Sequence, residues 1–310
     1  MELKQDGKVK SLGWFYRTLA AERTGTMTAD YSLEISSQIN EQPSRNTRVV
    51  VAGAGTAAQQ LVSQLSRGGF LGSITILEAS DSCPPEVLDL AALPNVSVRI
   101  GQDVTSINAA ERTVVTRAGA EIGYDHLVIA TGSRPVRLPV VGESKCLHYG
   151  TIDDAARLSE ELLEASRVLG RRPLGILLGS GAAAGQAEAV LRSRGVRPIR
   201  TTALPAQILS SLAGSPLPVT GVQFEDGSSM HADLVVIAED RLPQDELAAT
   251  AGVATAPSGG IVVGADGSTS VPGIWAIGDA AAVDGVRLGL MVSASVSASA
   301  CTGALLGLAA

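Results

Sequence analysis

Gly53 and Gly55, with Ala58 three residues further on, stand between a short apolar run and a helical one. A turn of this kind can hold a pyrophosphate. The first glycine permits the bend, the second lets backbone N–H groups approach, and the small third residue keeps helix and strand close. Thr56 and Ala57 lie in the same turn, at the positive end of the helix dipole. Glu78 closes the next apolar run, where a carboxylate can accept the hydrogens of both ribose hydroxyls. Much later, a strand ends in Gly278-Asp279, whose carboxylate is suited to a polyol hydroxyl.

The first pattern recurs. Gly179 and Gly181 follow the apolar run Leu174-Gly175-Ile176-Leu177-Leu178, and Ala184 takes the place of the third small residue. At the end of the following strand stand Arg200, Thr201 and Thr202. A carboxylate selective for an unmodified ribose is missing there, and Arg200 with its two threonines suits a 2′-phosphate, which would make NADPH the reductant. Cys83, Cys146 and Cys301 are scattered, odd in number and without a CxxC pair, so neither a disulfide framework nor a metal site is encoded. Cys83 reads as a small loop residue rather than a redox centre. His126, His148 and His231 occupy no motif, and His126 reads as structural. Asp153 and Asp154 suit the start of a helix, and Arg134 and Arg137 suit a crossing between domains.

The elements that must position these groups are legible as strand, tight turn and helix, the opening of a parallel α/β unit. Residues 49–52, 73–77, 96–100 and 127–130 read as strands, with a helix over 57–66 and hairpin material between 113 and 119. The pattern restarts with helices over 151–163 and 182–194, strands over 174–178 and 196–202, a short helix over 206–212 and a hairpin at 219–224. The chain returns near Ser258-Gly259-Gly260, and residues 261–263 and 273–277 resume the first domain. A repeat of the same unit in one chain implies two nucleotide-binding folds.

Two longer runs complete the pattern. One is Tyr124-Asp125-His126-Leu127-Val128-Ile129-Ala130-Thr131-Gly132-Ser133-Arg134-Pro135, and the other runs from Thr269 to Asp279. Together with the glycine turns they resemble the FAD/NAD(P)-binding pyridine nucleotide oxidoreductases, most nearly the flavoprotein portion of assimilatory nitrite reductases and the rubredoxin or ferredoxin reductases. The resemblance covers about 47–307. It implies an α/β fold with two Rossmann-like dinucleotide-binding domains, the FAD domain discontinuous (46–143 and 257–310), an abbreviated NAD(P)-like domain (144–256) inserted, and 1–45 as an extension or linker. It further implies that Gly53, Gly55 and Ala58 flank the FAD pyrophosphate, that Glu78 meets the adenosine ribose, and that Val104 meets the adenine. Ala130, Thr131 and Gly132 would border the pyrophosphate, Gly278 and Asp279 the ribityl chain. A helix starting near Met291 would aim its N-terminus at the isoalloxazine.

The chain departs from that family at several points. Gln186 stands where a glutamate is expected, and the Cys83-Pro84-Pro85 segment lacks the Tyr and Arg that usually follow. Glu239, Asp240 and Arg241 replace a Gly-x-x-Pro turn, and no sequence for a C-terminal interface domain follows the last helix. The expected activity is therefore an FAD-dependent transfer of hydride or electrons to a small organic substrate or a redox protein, with NADH or NADPH use open. The alternative is a structural FAD beside a cleft that does non-redox work such as a cyclisation.

Bulk properties fit such an enzyme. The 310 residues are 45% hydrophobic and 18% charged, enough for one large core or two ordinary ones. The net charge of −7 argues against nucleic acid as a partner. No signal peptide is evident, and the apolar stretch from Leu288 to Ala310 is broken by serines and glycines, so a packed small-residue helix is expected rather than a membrane span. A reducing cytoplasm is the expected location.

Overall fold

The computed structural model describes residues 45–81, 85–135, 140–211, 217–238 and 241–308. Residues 1–44, Cys83, Arg137, Glu239 and Asp240 lie outside them.

The chain begins with β1 (Arg48–Ala52), α1 (Thr56–Arg67), β2 (Ser73–Leu77), α2 (Pro85–Leu90) and β3 (Val96–Arg99). An antiparallel trio, β4 (Val104–Asn108), β5 (Thr113–Thr116) and β6 (Glu121–Gly123), precedes β7 (His126–Ile129) and β8 (Ser133–Pro135). The second series is β9 (Leu147–His148), α3 (Asp154–Leu169), β10 (Gly175–Leu178), α4 (Gly181–Ser193), β11 (Ile199–Thr201), β12 (Pro205–Ser210), β13 (Val219–Phe224), β14 (Ser229–His231) and β15 (Leu234–Ile237). Then come β16 (Arg241–Pro243), α5 (Glu246–Thr250), β17 (Ile261–Val262), β18 (Ile274–Ala276), β19 (Ala281–Val283), β20 (Val286–Arg287) and α6 (Ala294–Leu305).

Two parallel sheets organise these elements. The first has the order β18-β7-β1-β2-β3, the second β11-β10-β15-β9. Their central strands are short, unbroken apolar runs, as strands covered on both faces must be. Val49, Val50, Val51 and Ala52 of β1 are all buried, as are Gly175 to Leu178 of β10. On one face of the first sheet, α1 turns inward Ala58, Leu61, Val62 and Leu65, a spacing of three and four residues that makes one helical stripe. That stripe packs with Ala298, Cys301 and Leu305 of α6 against Val49, Val51 and Val128. Because α6 is built largely of Ala, Ser and Gly, it lies close enough to α1 that a Cβ on Gly68 would meet Leu306 at 2.5 Å. Both dinucleotide-type units of the expected α/β fold are thus present. The chain passes between the sheets twice, along β8 and back along β16, and these two strands pair antiparallel.

Three expectations need correction. The short helix over 206–212 is the strand β12, antiparallel to β13. Only Ile208 of this segment is buried, and β13 supplies backbone partners that outweigh the helical leaning of Ala and Leu. The helix expected over 151–163 instead spans Asp154–Leu169. The last helix begins not near Met291 but at Ala294, because a 3-10 turn over Leu288–Leu290 comes first and Ser293 caps the helix by accepting from Val296 N.

Leu61 is fully buried between α1 and the first sheet. Leu61→Ala should cost about 2–5 kcal/mol of unfolding free energy, measurable as a lowered urea midpoint. An unchanged midpoint would mean α1 does not pack as described.

Candidate functional site

A cavity of about 680 Å³ opens at the carboxyl ends of β1, β2 and β7. Its floor is the first glycine turn. Gly53 has φ +103°, donates its N–H to Leu77 O at 2.8 Å, and leaves no room for a side chain, since a Cβ there would sit 2.4 Å from Ala130 O. Only glycine lets β1 and β7 end this close together. Gly55 differs. A Cβ on it would meet nothing, and the same is true of Gly132 across the cavity. No side chain caps α1, so the first N–H groups of the helix have no side-chain partner at the cavity floor.

Glu78 forms the wall beside this turn. Its Oε2 accepts from Ala54 N and its Oε1 from Ser80 N, each at 2.9 Å. Each oxygen is thereby fixed with one lone pair still unspent, which is the requirement for accepting from two hydroxyls. The opposite wall is the turn after β7. Thr131 Oγ1 donates to Gln244 O at 2.5 Å, Gln244 Nε2 donates to Thr131 O at 2.5 Å, and Gln244 N donates to Gly132 O at 2.9 Å. The segment leading into α5 is therefore clamped onto that turn.

Of the residues expected at this site, Gly53, Gly55, Glu78, Val104, Ala130, Thr131 and Gly132 line the cavity together. Ala58 is buried on the inward face of α1 and packs in the core, and Thr56 and Ala57 open the helix just behind the cavity floor. Gly278 approaches the same helix so closely that a Cβ on it would lie 2.7 Å from Ala57 Cβ. Asp279 stands one side chain back from the cavity. It accepts a short hydrogen bond from Ser133 Oγ at Oδ2, and Ser133 itself lines the cavity. Arg287 Nε lies 2.7 Å from Asp279 Oδ1, and Arg241 Nε lies 4.0 Å from Oδ2. Burial raises the Asp279 carboxyl above its usual range, while Ser133, Arg287 and Arg241 pull it down and Asp154 adds to the rise. Met291 is the residue after the 3-10 turn and does not line the cavity.

The start of α6 is also differently furnished from what was expected. Ser293 Oγ accepts from Val296 N, and the Asp153 carboxylate accepts from Ala294 N at 2.8 Å. Asp153 thus serves α6 rather than its own helix, and Asp154 instead accepts from Gly150 N and Thr151 N at 2.8 and 2.9 Å.

The second glycine turn has the same backbone logic. Gly179 has φ +139° and donates to Thr201 O, Ser180 makes no side-chain cap on α4, and Ala184 is fully buried. Its surroundings differ. Arg200 reaches back over the turn, with Nε 3.4 Å from Gly179 O, and pairs with Glu188 on α4 at 3.4 Å. Gln186 spends both ends of its amide, donating to Leu290 O at 2.9 Å and accepting from Tyr149 OH at 3.3 Å. A glutamate there would lack the first of these donors.

The remaining described candidates do not line the cavity. His126 packs on Trp275 with ring centroids 6.3 Å apart. Cys146 and Cys301 are buried, and burial pushes the Cys301 thiol far up. Arg134 pairs with Glu246 on the surface. Ser133 and Arg241 were read only within longer runs and given no contact of their own, and Gln244 and Arg287 were not singled out. Ser133 at least follows directly on Ala130-Thr131-Gly132, whereas nothing near Arg287 in the sequence marks it. Among the described residues, no helix is long and apolar enough to cross a membrane.

Comparison with known proteins gives a consistent picture. The model of the pyridine nucleotide-disulphide oxidoreductase family matches residues 47–199 and 181–299. Putidaredoxin reductase of Pseudomonas putida is 28% identical over 285 residues, covering 76% of this chain and 67% of that protein. Rubredoxin-NAD(+) reductase of the same organism is 27% identical over 288 residues, covering 79% and 74%. The nitrite reductase (NADH) large subunit of Escherichia coli is 28% identical over 227 residues, 63% of this chain but 26% of the longer protein. Among solved structures, the covalent putidaredoxin reductase–putidaredoxin complex superposes with a TM-score of 0.52 at 24% identity, covering 83% of this chain and 76% of that one, a likeness of fold.

The contrast between the two glycines is testable. Gly55→Ala should leave stability within about 0.5 kcal/mol of the parent, whereas Gly53→Ala should cost more than about 1 kcal/mol through its backbone and its collision with Ala130 O. Equal thermal midpoints for the two variants would contradict the geometry of the turn.

Proposed function

The chain belongs to the pyridine nucleotide-disulphide oxidoreductase family, and on that premise we propose how its own residues serve an FAD-dependent oxidoreductase. The observation that carries the reading is the cavity floor. Gly55 and Gly132 leave open the space their side chains would fill, and an uncapped helix end meets it beside a carboxylate fixed at both oxygens. These features fit the adenosine and pyrophosphate half of FAD. N–H groups at Gly55, Thr56 and Ala57 would receive the pyrophosphate, Glu78 the ribose, and the backbone at Val104 the adenine. Ala130, Thr131 and Gly132 would border the pyrophosphate from the other side, and the Ser133–Asp279 pair, next to Gly278, would face the polyol chain.

FAD supplies the hydride and electron chemistry, and the protein binds, orients and shields it. The relatives are named as reductases, which speaks against the non-redox alternative. Two of them are named for rubredoxin and putidaredoxin, and we take either a redox protein or a small organic molecule as the acceptor here. Residues 46–143 and 257–310 form the FAD-binding part in this reading, 144–256 the pyridine nucleotide part, and 1–45 an extension. The cytoplasm is the proposed location. In the second part Gly179, Gly181 and Ala184 would seat the pyrophosphate of NADH or NADPH, with Arg200 toward a 2′-phosphate once it leaves Glu188. Met291 lies too early to begin the last helix, so it carries no assigned contact.

An anaerobic absorbance spectrum tests the whole reading. The purified chain should show a flavin band that bleaches when NADH or NADPH is added, and a colourless protein that takes up no FAD would sink it. Arg200→Ala should slow bleaching by NADPH about tenfold or more, the worth of a charge-assisted hydrogen bond, and leave NADH little affected. Equal effects on both coenzymes would remove Arg200 from the 2′-phosphate role.

A further inference from the structure

Asp279 is served by four separate elements. Ser133 on β8 donates to Oδ2, Arg241 on β16 reaches within 4.0 Å of the same oxygen, Arg287 on β20 stands 2.7 Å from Oδ1, and Gly289 in the following 3-10 turn crowds Oδ1 so closely that a Cβ would fall 2.5 Å away. Arg241 also donates to Ser133 through Nε to Oγ at 2.8 Å and through a terminal nitrogen to the carbonyl at 2.6 Å. Asp154, at the start of α3, is the further carboxylate that acts on Asp279. Within this group Arg287 is the most enclosed cation, its side chain 6% exposed against 35% for Arg241. Its terminal nitrogens donate to Arg241 O at 3.1 Å and, by a short bond, to Gly150 O.

We propose that Arg287 is a positioning residue for FAD, acting through the Ser133–Asp279 pair. It holds Asp279 ionised and turned toward Ser133, so the Ser133 hydroxyl spends its proton on Asp279 and presents oxygen to the cavity. The arrangement follows from the donors available. Nε of Arg287 stands at ion-pair distance from Oδ1, and its two other nitrogens are fixed on carbonyls. Burial opposes the ionised carboxylate, and Arg287 is the only enclosed cation facing it among the described residues. Without that charge, Asp279 takes up a proton at higher pH. A protonated Asp279 donates rather than accepts, and the Ser133 hydroxyl must turn. The wall of the cavity would then change its hydrogen-bonding sense with pH.

This inference rests on the FAD reading above, and its test separates the two. FAD affinity of the apoprotein is titrated by flavin fluorescence from pH 5.5 to 8.5 for the parent, Arg287→Gln, Arg287→Lys, Asp279→Asn and the double variant Asp279→Asn/Arg287→Gln, with circular dichroism as the check on folding. The parent and Arg287→Lys should hold a nearly constant affinity over the range. Arg287→Gln should weaken as pH falls, approaching about tenfold per pH unit below the raised carboxyl pKa. Asp279→Asn should be weak at every pH, and adding Arg287→Gln to it should weaken it no further, since the arginine acts only through the carboxylate. A flat profile for Arg287→Gln, or losses that multiply in the double variant, would overturn the proposal. Should Arg287→Gln fail to fold alone, the double variant still decides, because loss of both members of a buried pair is better tolerated than loss of one. A parent chain that binds no FAD would sink the underlying reading itself.

Discussion

The site depends on how closely two neighbouring parallel strands can end. At Gly53 the backbone of β1 passes against Ala130 with no space for even one carbon atom. That approach sets α1 over the sheet edge with its N-terminus open, and it places the turn after β7 directly across from the helix. Glu78, Gly132 and Ser133 then follow from strand registers that the sheet fixes, since Ala52 pairs with both Leu77 and Ile129. A single substitution at this contact would move every wall of the cavity together.

The two glycine turns show that a shared backbone does not entail a shared environment. Both have a left-handed glycine, an uncapped helix and a buried alanine behind. At the first, the nearest charged side chain is a carboxylate held by backbone N–H groups. At the second, it is an arginine whose charge is already answered by Glu188 on the adjoining helix. On the proposed reading, coenzyme binding at the second turn would carry an added cost, the release of Arg200, that FAD binding at the first would not.

Much of this was legible in the sequence because it is local. A strand, a glycine turn and a helix within twenty or so residues leave a periodic trace, and the strand at Ser73–Leu77 matches the expected bounds; Thr113–Thr116 is one arm of the expected hairpin, and Val219–Phe224 is a single strand where a whole hairpin was expected. What escaped is non-local or finely balanced. Pro205–Ser210 has residues that favour a helix about as well as a strand, and only pairing with β13 decides. The late start of α6 is set by Ser293, a good cap hidden in a serine-rich run where several residues could have served. The contacts of Asp153 with Ala294 and of Arg287 with Asp279, Gly150 and Arg241 join separate elements, and no spacing rule announces contacts of that kind.

The paired crossing strands have a mechanical consequence. β8 and β16 are bonded to one another, so the two passages between the sheets form one ribbon rather than two independent tethers. A two-stranded ribbon bends far more readily out of its plane than within it. Ser133 and Arg241 both lie on that ribbon and are bonded to each other across it, so one wall of the cavity is tied to the crossing itself.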